Sequence, residues 1–258
     1  VRSAAALAAC LILGACATSD GSGPPAAVLA EGYLDGAALD QLAAASVPSP
    51  FVPGNEPSDH ANFGPGTDRW WLAIAHAELR PPEAAQHFDC ILGTRLAEKP
   101  RPALTRLMTR LLIDTDRLTR QLAEAHPRAR PVAVDRNLQP CQRITDAMRD
   151  SPSWPAGGAV AGAAYGEMFA QLAPDQAEAL RARGAEIGFS RAVCRMNWMA
   201  DSFDGAEIGK AVYAQAAQTP AFAADLEAAR AELTAARAEG LTNPACAAER
   251  RALRRTGY

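Results

Sequence analysis

Apolar residues recur at helical spacing through most of this chain, and strand-like alternation is scarce. Leu104, Leu107, Met108, Leu111, Leu112 and Leu118 fall on one side of a helix predicted from Ala103 to about Ala125. Upstream, Asp68 is placed to cap a helix through Trp70, Trp71, Ile74 and Leu79, stopped by Pro81-Pro82. A second helix is expected over Glu83 to Leu96, before Pro100 and Pro102 break the chain. Residues 126–155 are again interrupted by prolines. Beyond Gly158 the small-residue run Ala159 to Ala164 predicts a helix that packs closely on its neighbours. Further helices are expected over 174–187, 188–215, 219–239 and 243–255. Residues 26–66, rich in proline and glycine, read as an irregular arm with one short helix around Gly36 to Ala45. The expectation is an all-α, single-domain helical bundle with an irregular N-terminal arm. A chain of 258 residues can bury one such core without division into two domains.

Charge narrows the functional classes. A formal net charge of −3 gives no basic face of the kind nucleic acid demands. Lys99 and Lys210 are the only lysines, so almost every positive charge is an arginine. At the N-terminus, Arg2 precedes a short apolar run, too short to span a bilayer and suited to a signal peptide over residues 1–15. Leu13-Gly14-Ala15-Cys16 resembles a bacterial lipobox, which implies acylation of the Cys16 thiol. Residues 16–31 then read as a lipidated cysteine and flexible tether. Ala17 after that cysteine implies, by resemblance to sorted lipoproteins, the periplasmic side of the outer membrane. With Cys10 and Cys16 set aside, Cys90, Cys141, Cys194 and Cys246 remain, an even set that suits disulfides in an exported protein. Four reduced, buried cysteines are the alternative. No C-x-x-C spacing occurs, and the histidines His60, His76, His87 and His126 do not group like metal ligands, so no metal and no cofactor is expected.

Three blocks carry the chemistry: Arg130-Pro131; Pro155-Ala156-Gly157-Gly158; and Ser190-Arg191 followed by Asn197 and Asp201. In order and spacing they resemble the signature K-x6-R-P, P-S-G-H, S-R-x5-H-x3-D of the type-2 phosphatidic acid phosphatase and vanadium haloperoxidase superfamily. The likeness is greatest to the bacterial class A non-specific acid phosphatases, and similar text runs from about Gly32 to Leu233. The resemblance implies an acid-phosphatase-like helical domain over residues 32–258, and a homodimer. In that family one histidine attacks phosphorus, a second protonates the leaving group, and cations with backbone amides hold the oxygens. It also implies a Cys141–Cys194 bridge, which leaves Cys90 to pair with Cys246.

Carried over residue by residue, the resemblance assigns phosphate contacts to Arg130, Gly157, Ser190 and Arg191, and an orienting role to Asp201. Four positions depart from it: Ala123 replaces the lysine, Ala156 the serine, Gly158 the acid histidine and Asn197 the nucleophilic histidine. An amide cannot form a phosphoenzyme, and nucleophile loss alone costs about 10⁶ in rate in a comparable hydrolase. A missing general acid removes roughly 10²–10⁴ in rate. The expected function is therefore a catalytically impaired envelope lipoprotein that keeps a partial pocket for phosphate or a phosphomonoester. One alternative is an active acid phosphatase with rearranged residues, such as water activated by Asp201, with Arg195 replacing the lost lysine and His126 the lost acid. The other is an envelope interaction module without a ligand. Trp198 matches a family aromatic, and Arg128 a basic residue frequent before R-P.

Overall fold

A computed structural model of the protein describes residues 31–51 and 63–254. The segments read as a signal peptide and, for the most part, as a tether, together with Cys16 and His60, lie outside the described residues. Eleven α-helices and two 3₁₀ turns account for the described regular structure, with no strand among those residues. The all-α bundle read from the hydrophobic spacing is the fold observed.

In chain order the helices are α1 (Gly36–Ala45), α2 (Asp68–Ala75), α3 (Asp89–Leu92), α4 (Pro102–Ala125), α5 (Pro131–Val134) and α6 (Asp146–Asp150). They continue with α7 (Gly157–Leu172), α8 (Ala177–Val193), α9 (Met199–Ala216), α10 (Pro220–Ala238) and α11 (Cys246–Arg254). Helix α7 is the axis of the molecule, with α8, α9, α4 and α10 all packed on it. Its sequence is apolar almost all round, as a fully surrounded helix requires, and the residues from Ala159 to Phe169 other than Glu167 are buried. Glycine sets the closeness of that packing. A methyl at Gly162 would lie 2.8 Å from the Gly184 carbonyl oxygen of α8, and one at Gly209 of α9 only 2.1 Å from the Val160 carbonyl oxygen. Either addition would force backbones apart.

Helix α4 brings its apolar stripe, including Leu107, Leu111, Leu118 and Leu122, into the same core as Phe88, Phe169 and Phe222. Its first turn is capped from a distance: Glu232 of α10 accepts the Ala103 and Leu104 amides at 3.0 and 2.9 Å. The arm runs along the outside of α4. Tyr33 N–H donates to the Asp114 carboxylate at 2.7 Å, and the Tyr33 hydroxyl donates to Asp225 at 2.9 Å. Further along, Ser49 bonds to Asp204 and Phe51 packs on Trp198 at 4.8 Å between ring centres.

Two disulfides close the architecture. Cys90–Cys246 ties α3 to α11 and Cys141–Cys194 ties the loop after α5 to the end of α8, the pairing that the resemblance implies. They span 156 and 53 residues, and loop-closure entropy alone puts each at about 4–5 kcal/mol, an upper figure.

Several sequence expectations need correction. Helix α8 runs unbroken through Gly188 to Val193, and the break falls at Cys194–Trp198 instead of between 187 and 188. Gly188 is a packing residue, since a methyl there would sit 2.9 Å from Ala159 Cβ. The cap of α2 is Thr67, whose side chain accepts from Trp70 N–H, and the helix stops at Ala75, short of Leu79. The helix expected over 83–96 is a 3₁₀ turn, Glu83–Phe88, followed by α3, which Gly93 ends with φ of 68°.

Candidate anion site at the start of the central helix

Helix α7 begins without a cap. Its N-cap residue is Ala156, which has no side-chain acceptor to offer, and neither the Gly157 nor the Gly158 amide finds an acceptor among the described residues. Both glycines line a cavity of about 620 Å³, together with Arg191 from α8, Asp116 and Leu112 from α4, Gln142, and the segment Glu78–Arg80. The start of a sixteen-residue helix carries a partial positive charge and free N–H groups, so its bare end suits an anion.

Arg191 faces the same space. Its aliphatic stem lies across Gly158, so that a methyl there would sit 2.6 Å from Arg191 Cδ. Among the described residues its guanidinium has no hydrogen-bond or ion-pair partner. The residue is half-buried against the surrounding protein. That burial, and then the charge of Arg130, pull its pKa down to about 10. A half-buried cation in this condition gains from an anion that neutralises it.

Arg130 stands behind Arg191, close enough to be felt electrostatically, but its own bonds go to protein. It donates to the Met196 carbonyl at 2.6 Å and to the Ser151 hydroxyl at 3.1 Å, and does not line the cavity. Burial lowers its pKa, and Asp201 partly offsets that shift.

Asp201 is buried completely and fully engaged. Its oxygens accept from Arg128 at 2.5 Å, from the Ser153 hydroxyl at 2.5 Å and from Trp198 N–H at 3.2 Å. The last bond caps the start of α9, since Asp201 occupies its third position. Asn197 is buried as well and donates to the Ser153 carbonyl at 2.5 Å. Asp201 therefore holds no hydrogen bond to residue 197. The place of an aspartate orienting an imidazole is taken by an arginine–aspartate pair and an amide bonded to backbone.

Ser190 also turns elsewhere. Its hydroxyl accepts from Arg69 at 2.9 Å and donates to the Glu186 carbonyl at 2.9 Å. His76 Nδ1 lies 2.8 Å away and must therefore be the protonated nitrogen, donating to that oxygen. The hydroxyl is thus committed to a buried network and does not line the cavity.

The remaining positions are quickly placed. Ala123 sits in the last turn of α4, half-buried, and Ala156 is fully buried with its N–H on the Asp201 carbonyl at 3.1 Å. Arg195 follows α8 with φ of 61° and donates back to the Ala192 carbonyl, so it does not stand in for the lost lysine in the cavity. His126 is exposed, edge-on to Trp154 at 5.2 Å. Trp198 donates from its indole to the Ala129 carbonyl at 2.8 Å. No group of histidine, cysteine and carboxylate side chains able to hold a metal exists among the described residues.

The sequence blocks thus converge: Gly157, Gly158 and Arg191 line one cavity, the charge of Arg130 reaches Arg191, and the Asp201 carbonyl accepts Ala156 N–H just before the helix. Asp116, Glu78, Arg80 and Gln142 were not anticipated. Asp116 had one available signal, since it lies seven residues before Ala123 and therefore on the same face of α4.

Comparison with known proteins agrees with the resemblance in the blocks. The chain is 25% identical over 166 residues to a non-specific acid phosphatase of Salmonella typhimurium, and 26% identical over 165 residues to one of Providencia stuartii. Each alignment covers 64% of this chain and 66% of the relative, just under two thirds of that protein's length. No family model matches the chain.

Proposed function

We propose that this chain is an anion-binding member of the acid phosphatase lineage, an envelope lipoprotein that holds phosphate or a phosphomonoester in the Arg191 cavity and no longer hydrolyses it efficiently. The observation that carries the reading is the pairing of an unneutralised, half-buried guanidinium with the bare amides of Gly157 and Gly158. Two donors of different kind converge on one cavity whose wall has no partner for either. The relatives' name adds the substrate class, phosphate monoesters.

Loss of turnover follows from the residues behind the pocket. Asn197 and Gly158 supply neither nucleophile nor general acid, and Asn197 is held by Ser153. Water activated by Asp201 has no support, because that carboxylate is wholly buried and accepts three hydrogen bonds already. Attachment through Cys16, after removal of residues 1–15, would hold the domain at the periplasmic face of the outer membrane. No helix among the described residues is long and apolar enough to cross a membrane.

The test is p-nitrophenyl phosphate hydrolysis at pH 5 to 7 alongside thermal unfolding in increasing phosphate. Phosphate-dependent stabilisation without turnover is expected, rising to about 2.7 kcal/mol at 100 times the dissociation constant. Turnover that disappears in Arg191→Ala would instead establish a working phosphatase. No stabilisation by phosphate at any concentration would leave an interaction module.

A further inference from the structure

The cavity holds two uncompensated charges of opposite sign. One is Arg191, beside the start of α7; the other is Asp116, an exposed carboxylate that lines the cavity and makes no hydrogen bond or ion pair among the described residues, with only the more distant charge of Arg120 acting on it. Glu78 and Arg80, also in the wall, neutralise each other through three bonds of 2.7 to 3.0 Å. What remains is a dipole, positive where the helix begins and negative on α4. The space of about 620 Å³ is several times what a phosphate ion fills, since one water already takes about 30 Å³ of liquid. Its wall alternates these charges with apolar Ile74, Leu79, Leu112 and Ala161, which suit a short carbon chain.

Resting on the anion site proposed above, we infer that the ligand is an amino-alcohol phosphate, its phosphate on Arg191 and the Gly157 and Gly158 amides and its ammonium on Asp116. A zwitterion matches both ends of the cavity, whereas a nucleotide or polyphosphate would bring surplus negative charge against Asp116. Asp116 is exposed; desolvation on its protein side raises its pKa and Arg120 partly offsets that, so an ammonium in the cavity meets a carboxylate that no hydrogen bond occupies. The same chemistry occurs in free phosphoethanolamine and in a phospholipid headgroup, which differ in whether the phosphate is a monoester or a diester.

Calorimetric titration of the intact protein with inorganic phosphate, propyl phosphate, phosphoethanolamine and glycerophosphoethanolamine separates these cases. Propyl phosphate replaces the ammonium by a methyl group at nearly constant shape. Phosphoethanolamine is expected to bind about five- to tenfold more tightly than propyl phosphate, the range of a partly exposed charge pair. Asp116→Asn removes that advantage, so that phosphoethanolamine binds no more tightly than propyl phosphate to the variant. If glycerophosphoethanolamine gains equally from its amine, the source is a headgroup; if only the monoester gains, it is the free metabolite. Equal affinity for propyl phosphate and phosphoethanolamine, with both still bound, overturns this inference and spares the anion site. Absence of binding by all four overturns both, and an amine advantage that survives Asp116→Asn refutes the role of Asp116.

Discussion

Asp201 is the residue where the role implied by the resemblance and the bonds it makes diverge most sharply, and Asp201→Asn separates them. As a catalytic aspartate it would be expendable for folding. In this structure it is a buried anion that accepts from Arg128, Ser153 and Trp198 N–H, and its backbone carbonyl receives Ala156 N–H at the start of α7. The amide keeps the shape but loses the charge, and its NH₂ group faces donors where oxygen was needed. Ser153 can rotate its hydroxyl to accept, but Trp198 N–H cannot, and Arg128, only 17% exposed, loses its counter-charge. Removing one partner of such a buried pair costs about 3–5 kcal/mol, and the conserved shape argues for the lower end, about 3 kcal/mol. For a chain of this size each kcal/mol shifts Tm by roughly 2–4 °C, so the midpoint falls by about 6–12 °C. Differential scanning calorimetry of the two proteins at one pH and salt concentration reads this directly. A change of less than about 2 °C would mean that Asp201 does not hold these elements together.

Gly158→Ala should weaken phosphate binding severalfold while lowering Tm little, because a methyl 2.6 Å from Arg191 Cδ displaces a flexible side chain and carries the guanidinium off the helix start. Isothermal titration with phosphate measures it, and unchanged affinity would show that the Arg191 position is not critical. Acid should destabilise the fold through the buried histidines. Burial lowers the pKa of His76 far below 6.5, with His87, Arg183 and Arg69 adding to it, and burial likewise lowers that of His87. Unfolded histidines bind protons as pH falls below 6.5 while the folded ones stay neutral, so this stability is present above 6.5 and is lost on descent toward the depressed folded values. Two such groups give a slope of up to about 2.7 kcal/mol per pH unit, and His76→Gln should remove about half of it in urea titrations between pH 7 and 5; an identical slope in the variant would refute the assignment.

The long helices were legible because burial of one face writes itself into spacing. Helix α1 falls at the expected bounds, and α4 and α10 within a residue of them. The errors came where a residue type serves two purposes. Gly188 reads as a helix boundary, yet its missing side chain is used to seat α8 on Ala159. Asp68 has the chemistry of a cap, but Thr67 makes the bond. At the site, sequence spacing brought Gly157, Gly158 and Arg191 together but could not tell which way each polar atom turns. Ser190 follows its neighbour into a different environment, bonded to Arg69, Glu186 and His76. Arg128, noted only as a neighbour of the first block, turns out to hold Asp201. Asp116 left only its spacing from Ala123 as a signal, because an exposed carboxylate on a charged helix face looks the same in sequence whether or not it borders a cavity.

A crystal of the protein soaked in orthovanadate would decide most directly whether a phosphate-shaped pocket survives without its catalyst. The oxyanion should sit within hydrogen-bond distance of Arg191 and of the Gly157 and Gly158 amides, bonded covalently to no side chain. Vanadate found elsewhere, or joined to a protein atom in that cavity, would contradict the reading.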